Sequence, residues 1–135
     1  MQLYSRDLVH RAREKTGAGV LHHPSHESRI SNPICGDKVR WTLQVSANRV
    51  VEAKHETRGC VLCQASASLL FDRVQGKDIL AVFQDISQFQ AEIEDILQAE
   101  EAVTESLFSG LQHAPSRVSC VLLPWEGLEK ALRGA

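Results

Sequence analysis

Residues 38–45, Lys-Val-Arg-Trp-Thr-Leu-Gln-Val, alternate strictly between polar and apolar side chains. Val39, Trp41, Leu43 and Val45 share one face, the pattern of a half-buried strand. After Ser46-Ala47-Asn48 the alternation resumes. Val51, Ala53, His55 and Thr57 point one way, and Glu52, Lys54, Glu56 and Arg58 the other. Two such runs about a short turn predict an antiparallel hairpin with one buried face. His55 falls on that inward face and reads as a packed side chain, not a ligand.

Elsewhere the spacing is helical. Leu3, Tyr4, Leu8, Val9 and Ala12 predict a helix over 3–15, and Val61, Leu62, Ala65, Leu69 and Val74 one over 61–75, ending at Gly76. Phe83, Ile86, Phe89, Ile93, Ile96 and Val103 form the stripe of a long helix over 79–106, with a break at Gly110. Pro124 suits the first turn of a last helix carrying Leu128 and Leu132. The stretch 17–33 is rich in Gly, His, Ser and Pro and reads as loop, including His22, His23 and His26. The sum is an α+β domain: a small antiparallel sheet of about three strands with helices packed on one face.

Composition narrows the function classes. The 135 residues fit one domain spanning 1–135, and 43% hydrophobic with 24% charged residues is ordinary for a soluble protein. A net charge of −2 without a basic block argues against nucleic acid. No apolar run reaches the ~20 residues that span a bilayer. The segment MQLYSRDLVHRAREK lacks the apolar core of a signal peptide. The expectation is a cytoplasmic protein. In that compartment Cys35, Cys60, Cys63 and Cys120 are reduced, which points to metal or thiol chemistry instead of a disulfide framework.

The hairpin places some of these thiols. Matching the apolar faces requires Val45 to oppose Arg49 or Val51, since a one-residue slip buries Glu52, Lys54 and Glu56. Extending either register brings Cys35 level with Gly59 or Val61, beside Cys60. Cys35 and Asp37, two apart in extended chain, point to the same side. Cys60 also leads into the helix at Val61, where the dipole favours a thiolate, and Gly59 allows a tight strand-to-helix turn. Two thiols and a carboxylate lack one ligand for a tetrahedral site. The pattern does not show whether Cys120 approaches them.

Three stretches carry a resemblance: NPICGDKV at 32–39, RGCVLCQASAS at 58–68 and PSRVSCVLLPWEGLEKAL at 115–132. Together they resemble the NifU/IscU-type iron–sulfur cluster scaffold family, closest to its SufU-type branch, over a core of about residues 32–132. Residues 1–31 match weakly. The resemblance implies metal or cluster ligands at Cys35, Asp37, Cys60 and Cys120, with Cys120 as sulfur acceptor, Cys60 as the runner-up acceptor for its place at a helix N-terminus, and Arg117 as an auxiliary group. Position 119 is Ser where the IscU branch has a histidine, and that branch's Leu-Pro-Pro-Val-Lys chaperone motif is absent. Cys63 departs from the family, which has a small non-thiol residue there, and reads as a bystander packed in the helix.

What the resemblance implies in function is sulfur acceptance from a cysteine desulfurase and [2Fe–2S] assembly for apo iron–sulfur acceptor proteins. The site would hold Zn²⁺ at rest, or iron or a cluster. The protein is then a scaffold or sulfur acceptor, monomeric or weakly dimeric, more than an enzyme in its own right. The alternative is a zinc-bound sulfur shuttle that builds no cluster itself. From other classes come a CxxC oxidoreductase using Cys60 and Cys63, which lacks the surrounding βαβ pattern, and a purely structural zinc module.

Overall fold

The computed structural model describes residues 3–103 and 106–134. Its elements are α1 (Arg6–Glu14), β1 (His26–Ser31), β2 (Lys38–Ser46), β3 (Arg49–Arg58), α2 (Val61–Val74), α3 (Ile79–Gln98) and α4 (Val118–Gly134). Two short 3₁₀ turns, Ser109–His113 and Pro115–Arg117, precede α4. The strands form one antiparallel sheet in the order β1-β2-β3. Helix α4 packs on β1 and β2 and α2 on β3, while α1 lies on α2 and α3 on α4.

The hairpin forms as the alternation predicts, with one difference. Lys38 through Gln44 pair with Arg58 through Glu52, the register that would set Val45 against Val51. A bulge at Gln44/Val45 instead sets Val45 opposite Val50. The two-residue loop explains this. Ala47 and Asn48 both have positive φ, 51° and 62°, which is a type I′ turn flanked by the Ser46–Arg49 pair. Val50 is therefore fully buried, and Val51, expected inside, is 51% exposed. Trp41, Leu43, Ala53 and His55 face inward as expected.

The stretch 17–33 is not all loop, because β1 occupies His26–Ser31. Its most buried inward position is the polar Ser28, whose hydroxyl donates to the Gly127 carbonyl at 2.6 Å, and with His26 and Ile30 on either side the face shows no run of apolar alternation. Helix α1 begins at Arg6, capped by the Ser5 hydroxyl, and leaves Leu3 and Tyr4 outside it. Helix α3 ends at Gln98, short of the expected 106, of which 104 and 105 lie outside the described residues. Its last turn has no basic residue, and Glu100 and Glu101 follow where the dipole disfavours them. The Gln112 side chain then takes over as partner, accepting from Val103 N–H and donating to the Glu101 carbonyl at 2.8 Å each.

The last helix also starts earlier than expected. Helix α4 begins at Val118 and carries Pro124 inside it, not in its first turn. Proline has no N–H, so the Cys120 carbonyl one turn back loses its i+4 donor. The joint is steadied from the sheet, where Trp41 Nε1 donates to the Pro124 carbonyl at 2.9 Å. Trp125 stacks on Phe89 of α3 at 3.8 Å between ring centroids, and its Nε1 donates to Ser66 Oγ at 2.8 Å. Trp41 and Trp125 are both fully buried, and they tie α4 to its neighbours: Trp41 reaches it from β2, and Trp125 reaches out of it to α2 and α3.

Candidate metal centre

The chain between β1 and β2, Asn32-Pro33-Ile34-Cys35-Gly36-Asp37, folds on the asparagine. Asn32 Oδ1 accepts from Ile34 N–H at 3.0 Å, and the Asn32 carbonyl accepts from Gly36 N–H at 2.7 Å. Gly36 has φ 78°, which a side chain would resist. Asn32 Nδ2 then donates to Ser119 Oγ on α4 at 2.8 Å. One side chain thus shapes the cysteine loop and pins it to the helix that carries Cys120.

Asp37 turns inward at 4% exposure. Its Oδ1 accepts from Cys60 N–H at 3.2 Å, and its Oδ2 accepts from the Cys60 thiol at 3.6 Å. Cys60 is the N-cap residue of α2 and Cys120 lies in the first turn of α4. Both thiols therefore sit at the positive end of a helix dipole. Cys120 is within α4 and not ahead of it, contrary to the sequence expectation. Its sulfur is 3.7 Å from the Cys35 sulfur. One donor atom from each of Cys35, Asp37 and Cys120 lies within 4.8 Å of the other two, and Cys60 joins through Asp37.

The four residues named from sequence thus meet at one place. All the cysteines are free thiols. Burial, the Cys60 charge and hydrogen bonds with Cys35 and Cys60 push the Cys120 thiol up to about 12. That is the cost of burying a thiol among other acidic groups, and a bound cation would offset it. Three sulfurs and one carboxylate match the ligand types of a tetrahedral zinc site, and the thiols suit iron–sulfur chemistry. Among the described residues, His22, His23 and His26 join no such group.

Arg117 and Cys63 flank the cluster differently. The Arg117 guanidinium lies against Cys60, whose sulfur is the largest influence favouring its charged form. Its Nε is buried without a hydrogen-bond partner. Cys63 is fully buried in the core beneath the site, where burial and the nearby Asp37 raise its pKa strongly. It has the environment of an inert thiol.

The fold and this thiol cluster together ask for a family assignment. Residues 3–133 match the NifU-like N-terminal domain. The chain belongs to that family. This NifU-like chain is 32% identical over 136 residues to the zinc-dependent sulfurtransferase SufU of Bacillus subtilis, covering 96% of the chain and 89% of SufU. It is also 32% identical to the iron–sulfur cluster assembly scaffold protein IscU of Thermotoga maritima, covering 97% and 93%. A solved structure from Fervidobacterium islandicum AW-1, described as an iron–sulfur cluster assembly scaffold for the SUF system, has a TM-score of 0.77 at 26% identity and covers 97% of each chain. The N-terminal part of a NifU-like protein from Brucella abortus shares the fold with a TM-score of 0.80 at 20% identity, covering 97% of this chain and 92% of that one. Among the described residues of the NifU-like chain, no helix is long and apolar enough to cross a membrane.

Two residues of the site go beyond what the sequence reading assigned. Asn32 is the loop's organiser; it opens the NPICGDKV stretch, and the Asn-Pro pair, a frequent turn starter, is the local signal. Gly59 is not in the left-handed region, so a tight turn is not its reason. A β-carbon there would lie 2.7 Å from Asp37 Cγ. The glycine makes room for the carboxylate.

Proposed function

We infer that this NifU-like protein is an iron–sulfur cluster assembly protein of the SufU/IscU type. It accepts sulfur from a cysteine desulfurase at a Cys₃Asp site and supports [2Fe–2S] formation for apo acceptor proteins. The observation that carries this is the convergence of Cys35, Asp37 and Cys120, with Cys60 held on Asp37. Cys35, Asp37, Cys60 and Cys120 would hold Zn²⁺, and the ion would supply the positive charge that keeps the thiols ionised. Arg117 adds a fixed positive charge beside Cys60.

Sulfur acceptance is thiol exchange, in which the thiolate attacks. The Cys120 thiolate attacks the terminal sulfur of the desulfurase persulfide. The donor S–S bond breaks, the donor cysteine leaves as thiolate, and a new S–S bond forms on Cys120 with the terminal sulfur keeping its proton. Exposure favours a second reading for the acceptor. Cys35 is open to solvent, whereas Cys120 is 2% exposed and lies 3.7 Å behind it. The cytoplasmic assignment fits reduced thiols.

The test is anaerobic incubation with a cysteine desulfurase and cysteine, followed by mass-spectrometric mapping of persulfide. Persulfide on Cys120, with desulfurase stimulation lost in Cys120→Ser, supports the first reading; persulfide on Cys35 supports the second. Passage of a reconstituted cluster to an apo-ferredoxin supports scaffold action, and stimulation without any transferable cluster supports the zinc shuttle. Persulfide on Cys60 would move the acceptor there, and persulfide on none of the site's thiols overturns sulfur acceptance.

A further inference from the structure

The face of the sheet turned away from α2 and α4 ends, near the thiol site, in a cleft of about 500 Å³. It is bordered by Arg29, Ser31, Lys38, Arg40, Glu56 and Arg58. Arg29 stands directly opposite Arg40, and Lys38 directly opposite Arg58. Like charges in that position repel and destabilise a sheet. Arg40 is relieved by ion pairs with Glu27 at 2.6 Å and Glu56 at 3.4 Å, and Glu27 also acts on Arg29 at longer range. Among the described residues, Arg29, Lys38 and Arg58 have no ion-pair partner and all three are exposed. Lys130 adds a further positive charge at the edge, its Nζ on the Arg29 carbonyl at 3.0 Å. A chain of net charge −2 has gathered cations where the pairing rules disfavour them.

We propose that this cleft docks an acidic segment of the protein that exchanges sulfur with the thiol site. The place supports it: Lys38 follows Asp37, and Arg58 precedes Gly59-Cys60. A partner held by these cations is held one position from Asp37 and two from Cys60. The size supports it too. Three strands and two same-face rungs make a patch of about 10 by 7 Å, room for two or three carboxylates. That is too short to follow a nucleic-acid backbone, and the chain's negative net charge opposes one. The cleft gives association and orientation, and the thiols give the chemistry. The exchange part rests on the function inferred above; the docking of an acidic segment does not.

Two measurements test it. In the first, a cysteine desulfurase is titrated with wild type and with Arg29→Glu/Arg58→Glu, with zinc content measured to show an intact site. Expected is a KM for this protein raised at least about tenfold with kcat unchanged, and an effect that shrinks with added salt. The neutral variant Lys38→Gln shifts KM the same way by less. Transfer with KM unmoved in both variants overturns the docking surface and leaves sulfur acceptance standing. In the second, fluorescence anisotropy follows labelled hexaglutamate. Binding lost in the cleft variant and kept in Arg6→Glu/Arg13→Glu on α1 supports the site even if wild type accepts no sulfur. Equal binding by both variants overturns it, as does an oligothymidylate that binds more tightly at the same ionic strength.

Discussion

Asp37 and Gly59 are neighbours because no side chain separates them: a β-carbon on Gly59 would lie 2.7 Å from the Asp37 Cγ. In Gly59→Ala the carboxylate must move away from Cys60 and from the centre of the donor group. Zinc affinity, measured by competition with a chromogenic chelator, falls about 10- to 100-fold, the range seen when a ligand loses its orientation. Wild-type affinity in this variant would remove Asp37 from the ligand set.

Cys60 and Cys63 are three residues apart and have different fates. Cys63→Ala removes a packed sulfur and destabilises the fold by about 1–2 kcal/mol. It leaves zinc stoichiometry and persulfide formation unchanged. Cys60→Ser, beside Arg117 and Asp37, lowers metal content instead. Loss of activity in Cys63→Ala with its metal retained would revive the dithiol reading.

These differences show how far the residues could be read in advance. The β2–β3 hairpin and the contact of Asp37 with Cys60 were legible, because alternation fixes register and register fixes what lies at the strand ends. Strand β1 was not, because Ser28 satisfies its inward position with a hydrogen bond where a pattern search wants an apolar group. Cys120 could be brought in only by resemblance. Its approach depends on how α4 docks across β1 and β2, a contact 85 residues away from Cys35 in the chain. Pro124 hid the start of that helix, since proline more often opens a helix than sits within one.

His55 gives the stability a defined acid dependence. Its Nε2 lies 2.8 Å from the Thr16 carbonyl and its Nδ1 2.9 Å from Thr57 Oγ1. Burial lowers its pKa, outweighing the Thr16 bond that raises it. Above the unfolded value of about 6.5 both states are neutral and the full stability is present. Below it the unfolded chain takes up a proton that the folded protein refuses. Stability therefore falls with acid, by up to about 1.4 kcal/mol per pH unit, until the folded pKa is reached. Urea midpoints at pH 7.5 and 5.5 measure this. His55→Gln is weaker at pH 7.5 but loses less on acidification; an equal acid loss would assign the effect to other groups.

Gly127 lets α4 lie close on the sheet. A β-carbon there would meet Ile30 Cγ2 at 2.9 Å and Trp41 Cδ1 at 3.3 Å. Gly127→Ala forces the helix off β1 and β2 and destabilises by about 1–3 kcal/mol, despite alanine's better helix propensity. Thermal denaturation with and without zinc reads the effect. A stabilised variant would mean that α4 has room to shift.

Pro124 divides α4 into two pieces of unequal permanence. Beyond it, Trp125, Leu128 and Leu132 are buried in the core. Before it, the turn carrying Ser119 and Cys120 lacks the backbone bond that would join Cys120 to residue 124. The expected consequence is a turn that opens more readily than the helix behind it, held by Asn32 on Ser119 and Ser66 on the Val121 carbonyl. Amide exchange in 119–123 is then faster than in 125–132, and slows once metal is bound. The thiol deepest in the site stands on the part of its helix that is freest to let it out.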